Sequence, residues 1–341
     1  MPALLPASSA ARAALAQVTA LQRRLVDAME AMPGAGPFRS VSWARDGGRH
    51  GGGARLEHPE AGPWHRATAN VSCVYYDDEP TRRLSSATAL SAILHPAHPR
   101  APSMHMHTSW TELRDGTGTW RVMADLNPAI PDPADTARFA AALRAAAPDL
   151  WAQAARTGDR YFFIPTLKRC RGVCHFYVEG LASGDPAADA AVAGAVAEAA
   201  IDTYAAIVRD ALGRHGPPSA AELEAQRAYH TLYLLQVLTL DRGTTSGLLV
   251  HDQNDLGVMG SLPERVDREL LQSWVQLQPS PQDLLLTAII EALSPGRVGT
   301  VDAEARIRLA QVVRDHYRAR PEALELQAEA EVRVEVAGTH R

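Results

Sequence analysis

Residues 103–126 read SMHMHTSWTELRDGTGTWRVMADL, and this stretch decides the fold. Two β-like runs, 103–113 and 118–126, lie within it, in a region rich in glycine and turn residues. Two similar runs precede them, ATANVSCVYY at 67–76 and ATALSAILH at 87–95. Short strands at such close spacing are typical of an antiparallel meander, so the sequence predicts one antiparallel sheet.

Helical patterns surround this meander and make the predicted fold class α+β. The predicted helices are 10–31, one beginning at Asp135, 186–212, 219–231, 280–293 and 303–319. Further strands are predicted around RYFFIP and RGVCHFYVEGL, which we expect to pair, and at YLLQVLTLD, GLLVHD and DLGVMGSLP. We expect three segments: an N-terminal leader and helix at 1–36, the main domain at 37–295, and a C-terminal helical extension with a loose tail at 296–341.

Composition excludes several functional classes. The net charge is −5 without a block of like charge, which disfavours nucleic-acid binding. The sequence offers no run of about 20 apolar residues that would span a membrane, and the N-terminus does not resemble a secretory signal. Three cysteines cannot build a disulfide framework. Together these features predict a cytoplasmic protein.

Seven segments between about residues 40 and 265, taken in order, resemble the motifs of the oxygen-dependent coproporphyrinogen III oxidases. The segments are GGGAR (51–55), NVSCV (70–74), SAILHPAHPRAPSMHMH (91–107), ADLNP (124–128), DRYFF…CRGVCHFYVEGL (159–181), LTLDRGTTSGLLV (238–250) and GSLP (260–263). The resemblance implies a large antiparallel sheet flanked by helices on both faces, and a homodimer. It also implies that molecular oxygen is the co-substrate in the oxidative decarboxylation of propionates to vinyl groups, without a metal or organic cofactor.

The chain departs from the family pattern at positions that would hold carboxylates. Where the family has arginine, this chain has Ser109, Leu167 and Asn254. Each lost charge-assisted hydrogen bond is worth about 1.5–3 kcal/mol, so two losses would greatly weaken binding of a four-propionate porphyrinogen. We therefore expect a changed, carboxylate-bearing small-molecule substrate.

The candidate site combines residues retained from the family with newly gained histidines. On a strand, residues two apart share a face, which aligns His105 with His107 and, on the later strand, Arg171, His175 and Glu179. The predicted catalytic residues are His105, Asp125 and Glu179. The predicted substrate-binding residues are Asn70, Ser72, Ser91, Ser109, Arg171 and Arg242.

A metal site is the sharper of two interpretations of the histidines. If both strands keep their family positions, His105, His107 and His175 converge on one cavity and form a ligand set suited to copper or iron. The alternative is that they are ordinary polar pocket residues.

Two other groups of residues are given structural interpretations. We interpret Cys170 and Cys174 as thiols rather than cluster ligands, and His95 and His98 as structural histidines of a proline-rich turn.

Three functions remain open from the sequence. The first is an oxygen-using oxidase or oxidative decarboxylase with a changed substrate and a histidine-bound metal, in specialised metabolism. The second is a true coproporphyrinogen III oxidase of haem biosynthesis, with arginines such as Arg121 or Arg169 replacing the lost ones. The third is a tetrapyrrole- or metal-binding protein without catalysis.

Overall fold

A seven-stranded antiparallel sheet is the central feature of the computed structural model, which describes residues 5–250 and 254–328. The strands are β1 (Arg39–Ala44), β2 (Gly51–Glu57), β3 (Trp64–Tyr75), β4 (Leu84–Pro96), β5 (Ser103–Leu113), β6 (Gly118–Asn127), β7 (Phe163–Ile164), β8 (Arg169–Cys170), β9 (Cys174–Leu181), β10 (Arg265–Asp267) and β11 (Val298–Thr300). The large sheet has the order β1-β2-β3-β4-β5-β6-β9, whereas β7–β8 and β10–β11 form two small pairs. The predicted meander is confirmed.

One helix precedes the strands of the meander, further helices follow them, and together they cover the sheet. They are α1 (Ser9–Glu30), α2 (Pro133–Ala146), α3 (Pro148–Tyr161), α4 (Pro186–Arg214), α5 (Ala220–Thr239), α6 (Arg242–Val250), α7 (Asp255–Val258), α8 (Arg268–Val275), α9 (Gln282–Ala292) and α10 (Ala303–Ala319). The α+β class predicted from the sequence is therefore confirmed, with helices on both faces of the sheet. Helix α2 begins at Pro133, earlier than the expected start at Asp135. The side chain of Asp132 accepts a hydrogen bond from the backbone N–H of Ala134 and caps the helix.

Alternating residues give the sheet one apolar face and one polar face. In β5, Met104 and Met106 are fully buried in the core beneath α1 and α4, whereas His105 and His107 point to the opposite side. The apolar face joins the larger hydrophobic cluster, together with residues such as Leu25 of α1. The polar face is covered by the second helical layer, and this layer positions the site.

The second helical layer is built around α5. Ser219 and Glu222 form a reciprocal capping box at its start, and most of its second half is buried. Leu234, Leu235 and Leu238 pack with α9 and α10 in a second hydrophobic cluster. This arrangement holds α5 over the polar side of the sheet.

Three predicted strands are wrong, because they lie in helices. YLLQVLTLD continues α5 to Thr239, GLLV belongs to α6, and DLGVMGSLP forms α7 and a 3₁₀ turn. A short apolar run surrounded by protein has no amphipathic period, so burial on all sides makes a helix resemble a strand. The expected pairing near RYFFIP is also different: β7 pairs with β8, whereas β9 pairs with β6. Residues 251–253 of GLLVHD and its neighbours lie outside the described residues.

Within residues 5–250 and 254–328, one helix has the length and composition of a membrane span. The 29-residue helix α4 passes this test, and 50% of its most apolar window is buried inside the protein. Val196, Ile201 and Val208 are fully buried in the cluster shared with α1 and the sheet. Such burial is typical of a core helix, so α4 is weak support for a membrane span.

The limits of the three expected segments remain a prediction. Helix α1, in the first segment, packs on β3, β4 and β5, and α10, in the last, packs on α9. The end of the expected loose tail lies outside the described residues.

Cys73, Cys170 and Cys174 are free thiols, and burial raises the pKa of Cys174 to about 12.

Candidate functional site

The candidate site is a cavity of about 180 Å³ between the polar face of the sheet and helices α5 to α7. We call it the His105 cavity. Strands β3 to β6 supply its floor, because residues paired across neighbouring strands share a face. Six of the residues predicted from the sequence line it, namely Asn70, Ser72, Ser91, His105, His107 and Arg171.

A buried charge network lies at one end of the floor. The carboxylate of Asp125 is fully buried and accepts hydrogen bonds from His105 Nδ1 at 2.8 Å and Arg171 at 2.7 Å. Asn127 donates a third, at 2.6 Å. Burial would raise the pKa of Asp125, but Arg171 and then His105 outweigh it, and the pKa lies far below its ordinary value. Asp125 is therefore an ionised carboxylate that holds His105.

The hydrogen bond to Asp125 determines which nitrogen of His105 is available. Because a carboxylate only accepts, Nδ1 donates its proton to Asp125, and Nε2 is the ring nitrogen that this bond leaves unused. His105 retains 15% side-chain exposure and lines the cavity. The arrangement of carboxylate, oriented imidazole and cavity is one that positions a general base.

Arg171 completes the network from outside the strand on which it was expected. It precedes β9, in a bend, and its backbone N–H bonds to Phe162. Its guanidinium bonds to Asp125 and to Gln236 of α5, at 2.7 Å each, and lies over the Phe162 and Tyr233 rings. Both terminal nitrogens of Arg171 are therefore bonded to protein groups, and only its buried Nε lacks a partner, which does not favour its predicted role as a substrate clamp.

His107 occupies the centre of the floor. Its cross-strand neighbours are Ser91 and Met123. Burial, followed by the charge of Arg121, holds the pKa of His107 well below its ordinary value. The ring is therefore neutral and offers a hydrogen-bonding group without charge.

His175 is on the expected face but outside the cavity. It pairs with Asp125 across β6, so two strand spacings, roughly 10 Å, separate its backbone from that of His105. Its Nδ1 meets Asp159 at 2.7 Å, its Nε2 meets the Arg171 carbonyl at 2.6 Å, and Phe162 packs against its ring. The expected convergence of three imidazoles fails because β6 intervenes and both nitrogens of His175 have protein partners.

The residues present therefore do not fit a three-histidine copper or iron site. In the part of the chain that the structure describes, the group whose ligand atoms lie within 4.8 Å of one another is His50, Asp78 and Glu79, far from the cavity in sequence. Its carboxylates are also paired with Arg49 and Arg82. No catalytic step is assigned to a metal here.

Three further predicted residues do not line the cavity. Glu179 accepts a hydrogen bond from Tyr177 at 2.9 Å instead. Arg242 begins α6, and Ser109 faces the same side of the sheet as His107 but is not among the lining residues. Arg121, directly opposite Ser109 on β6, lines the cavity in its place.

The helical wall was missed by sequence reasoning. Tyr233 and Val237 of α5 and Trp43 of β1 line the cavity. Tyr233 and Val237 fall in the run YLLQVLTLD, which the sequence analysis predicts as a strand, and a strand gives no reason to place residues four apart side by side. That spacing, read as a helix, is the signal that would have found them.

His95 lies in β4 and not in the expected proline-rich turn, and its contacts join parts of the fold. It is fully buried, with Nδ1 at 2.9 Å from Ser103 and Nε2 at 3.1 Å from the Ser261 carbonyl. Burial lowers the pKa of His95 to about 3. The side chain is therefore neutral in the folded protein and ties the sheet to the turn after α7.

We expect His95 to make the protein less stable in acid. As the pH falls below about 6.5, the unfolded chain takes up a proton that folded His95 accepts only near pH 3. The free energy of unfolding should fall through this residue by up to about 1.4 kcal/mol per pH unit across that window. Urea unfolding at several pH values measures this effect. The free energy of unfolding should fall less steeply with decreasing pH in His95→Gln than in wild type, and an equal pH dependence in the two proteins would contradict the prediction.

The sequence comparisons extend the resemblance beyond the motifs. The family described as Coproporphyrinogen III oxidase matches residues 14–290. The oxygen-dependent coproporphyrinogen-III oxidase of Rickettsia akari (strain Hartford) is 29% identical over 246 residues, covering 67% of this chain and 84% of that protein. The corresponding mitochondrial protein of Rattus norvegicus is 24% identical over 299 residues, covering 80% of this chain and 65% of that protein.

Proposed function

Because the chain belongs to the coproporphyrinogen III oxidase family and is an oxidoreductase that uses molecular oxygen, we propose that it oxidatively decarboxylates a substrate bound in the His105 cavity. In this reaction a C–H bond and the bond to the carboxylate carbon break, and a C=C bond forms. CO2 leaves, and molecular oxygen takes up the two electrons together with two protons, one from the broken C–H bond and one from solvent, to give H2O2. One O2 is consumed for each carboxylate lost.

The observation that carries this proposal is the His105–Asp125–Arg171 network at the cavity floor. Deprotonation of the substrate requires a base whose lone pair faces the cavity, and the Asp125 bond leaves His105 Nε2 in that role. Arg171 keeps Asp125 ionised, so Asp125 positions His105 rather than taking the proton itself. Molecular oxygen is the oxidant, and no metal enters the scheme.

The cavity size favours a changed substrate. A cavity of 150 Å³ holds a molecule of the size of benzene, and pockets for drug-sized ligands measure roughly 300–1,000 Å³. The His105 cavity, at about 180 Å³, is partly open to solvent; a small acid fills it, whereas four linked pyrrole rings with four propionates would extend well beyond it. We therefore propose a substrate much smaller than coproporphyrinogen, which agrees with the absence of arginine at Ser109 and Asn254.

A true coproporphyrinogen III oxidase is the second candidate, favoured by the family match and the names of the relatives. It requires the cavity to open to several times this volume when substrate binds. A cytoplasmic location and a homodimer accompany both candidates as proposals.

Oxygen consumption by the purified protein tests the two candidates. We would supply either coproporphyrinogen III or 3-arylpropionates and record O2 uptake, CO2 release and H2O2, together with the metal content of the protein. Our proposal expects uptake with a small acid at one CO2 per O2, lost in His105→Gln and kept in His98→Gln, which alters a partly exposed turn residue. Turnover of coproporphyrinogen III to its divinyl product would establish the second candidate instead. A metal that is retained stoichiometrically and needed for uptake would restore the copper or iron hypothesis.

A further inference from the structure

Arg121 is the cation of the His105 cavity that the charge network does not use. It lies on β6 opposite Ser109 and lines the cavity on the side away from Asp125. Its guanidinium lies 5.1 Å from the centre of the Tyr177 ring, which supports one face of the planar group. The side chain is therefore held in place by packing rather than by a carboxylate.

The electrostatic surroundings keep Arg121 charged and available. Burial opposes its charge, but Tyr177, Tyr161, Glu179 and Asp241 raise the pKa of Arg121 above its ordinary value. These groups act at a distance: in the described part of the chain, no acidic side chain lies within ion-pair distance of this guanidinium. Its Nε is shielded from solvent and has no hydrogen-bond partner there.

The other arginine of the cavity also has an unpartnered Nε, but its two terminal nitrogens are occupied. Two nitrogens of Arg171 are bonded, one to Asp125 and one to Gln236. An incoming carboxylate would have to displace Asp125 from Arg171, which would leave a buried carboxylate unpaired. At Arg121 the same ligand would meet a fork of donors without a competitor.

The space beside Arg121 matches a single ring. Trp43, Met123, Tyr233 and Val237 provide apolar and aromatic walls for it. Along β5, His107 lies between His105 and Ser109, and Arg121 is opposite Ser109 on β6. A ring covering His107 therefore has Arg121 at one end and the base at the other. The cavity volume allows one ring and a short side chain.

We infer that Arg121 forms the carboxylate subsite of the His105 cavity and that the cavity binds acids with a single aromatic ring. The inference rests on the proposed function only for the fate of the bound acid; the binding itself does not depend on it. Arg121 thereby determines which substrate class enters, at a position where the motif of the family has no arginine.

Binding of 3-phenylpropionate, with 3-phenylpropanamide as the uncharged isostere, tests the inference by calorimetry in the absence of oxygen. We expect wild type to bind the acid more tightly than the amide. Arg121→Met should weaken acid binding roughly ten- to a hundredfold and leave amide binding unchanged, because one charge-assisted contact is lost. Arg121→Lys should restore part of the preference for the acid, since it keeps the charge but not the fork. Circular dichroism of each variant checks folding.

Arg265→Met is the matched control, because that arginine is exposed on β10. Equal acid binding in wild type and Arg121→Met would overturn the inference, and so would a wild type that binds neither probe or does not distinguish acid from amide. Arg121-dependent binding without any oxygen uptake would leave the inference standing and remove the proposed reaction alone.

Discussion

Replacing Asp125 by asparagine is expected to lower kcat for oxygen uptake by roughly 10³- to 10⁴-fold, the effect of losing the orientation of a catalytic histidine. The carboxylate of Asp125 accepts from His105, Arg171 and Asn127 through its two oxygens. In asparagine one of these two oxygens is replaced by an NH2 group, which donates. Either His105, or Arg171 and Asn127 together, then face a donor in place of an acceptor. His105 then places its proton on Nε2, and the cavity loses its base.

Oxygen-electrode kinetics under saturating substrate would measure this loss. Asp202→Asn is the matched control, because Asp202 is a surface carboxylate paired with Arg24. We expect its kcat to equal that of wild type. A correctly folded Asp125→Asn protein with wild-type kcat would show that His105 does not act as the base.

The second large effect concerns stability. Arg171→Met leaves the fully buried Asp125 carboxylate without its cation, and Asp125→Leu leaves the buried guanidinium without its anion. Each single change is expected to lower the free energy of unfolding by about 3–5 kcal/mol. In the double variant Asp125→Leu/Arg171→Met both charges are gone, and most of the loss should be recovered.

Equilibrium urea unfolding of the four proteins forms a double-mutant cycle that measures the coupling. Recovery should be partial, because His105, Asn127 and Gln236 also lose a partner. The double variant should remain inactive even where it is stable, which separates the two roles of Asp125. If the decreases in unfolding free energy of the two single variants simply add in the double variant, the two charges do not stabilise each other.

The meander and its polarity could be predicted from the sequence because the signal is local. The alternation Met104-His105-Met106-His107 fixes which side chains enter the core and which face the second layer. Neighbouring runs pair in sequence order, so β3 to β6 were found correctly. Asn70, Ser72 and Ser91 were instead predicted from the resemblance to the family motifs, and all three line the cavity.

The parts that could not be predicted depend on contacts distant in sequence. The second half of α5 is buried on all sides, with α6, α8, α9 and β10 among its neighbours, so no period distinguishes it from a strand. Parity put His175 on the correct face, but parity does not tell how many strands separate two residues or that Phe162 covers the ring. Arg121 was considered only as a substitute, since its side chain needs the observed register to be placed opposite Ser109.

The order of strands in the sheet has a consequence for how the protein folds. The first six strands join by hairpins between chain neighbours, which close short loops at low entropic cost. The Arg171–Asp125 contact instead joins positions 46 residues apart, and Arg171–Gln236 joins positions 65 apart. We expect the six-stranded hairpin array to form early, with Asp125 still hydrated, and to lose that water only when β9 docks and delivers Arg171. The costly burial of the carboxylate thus coincides with the arrival of the charge that compensates it.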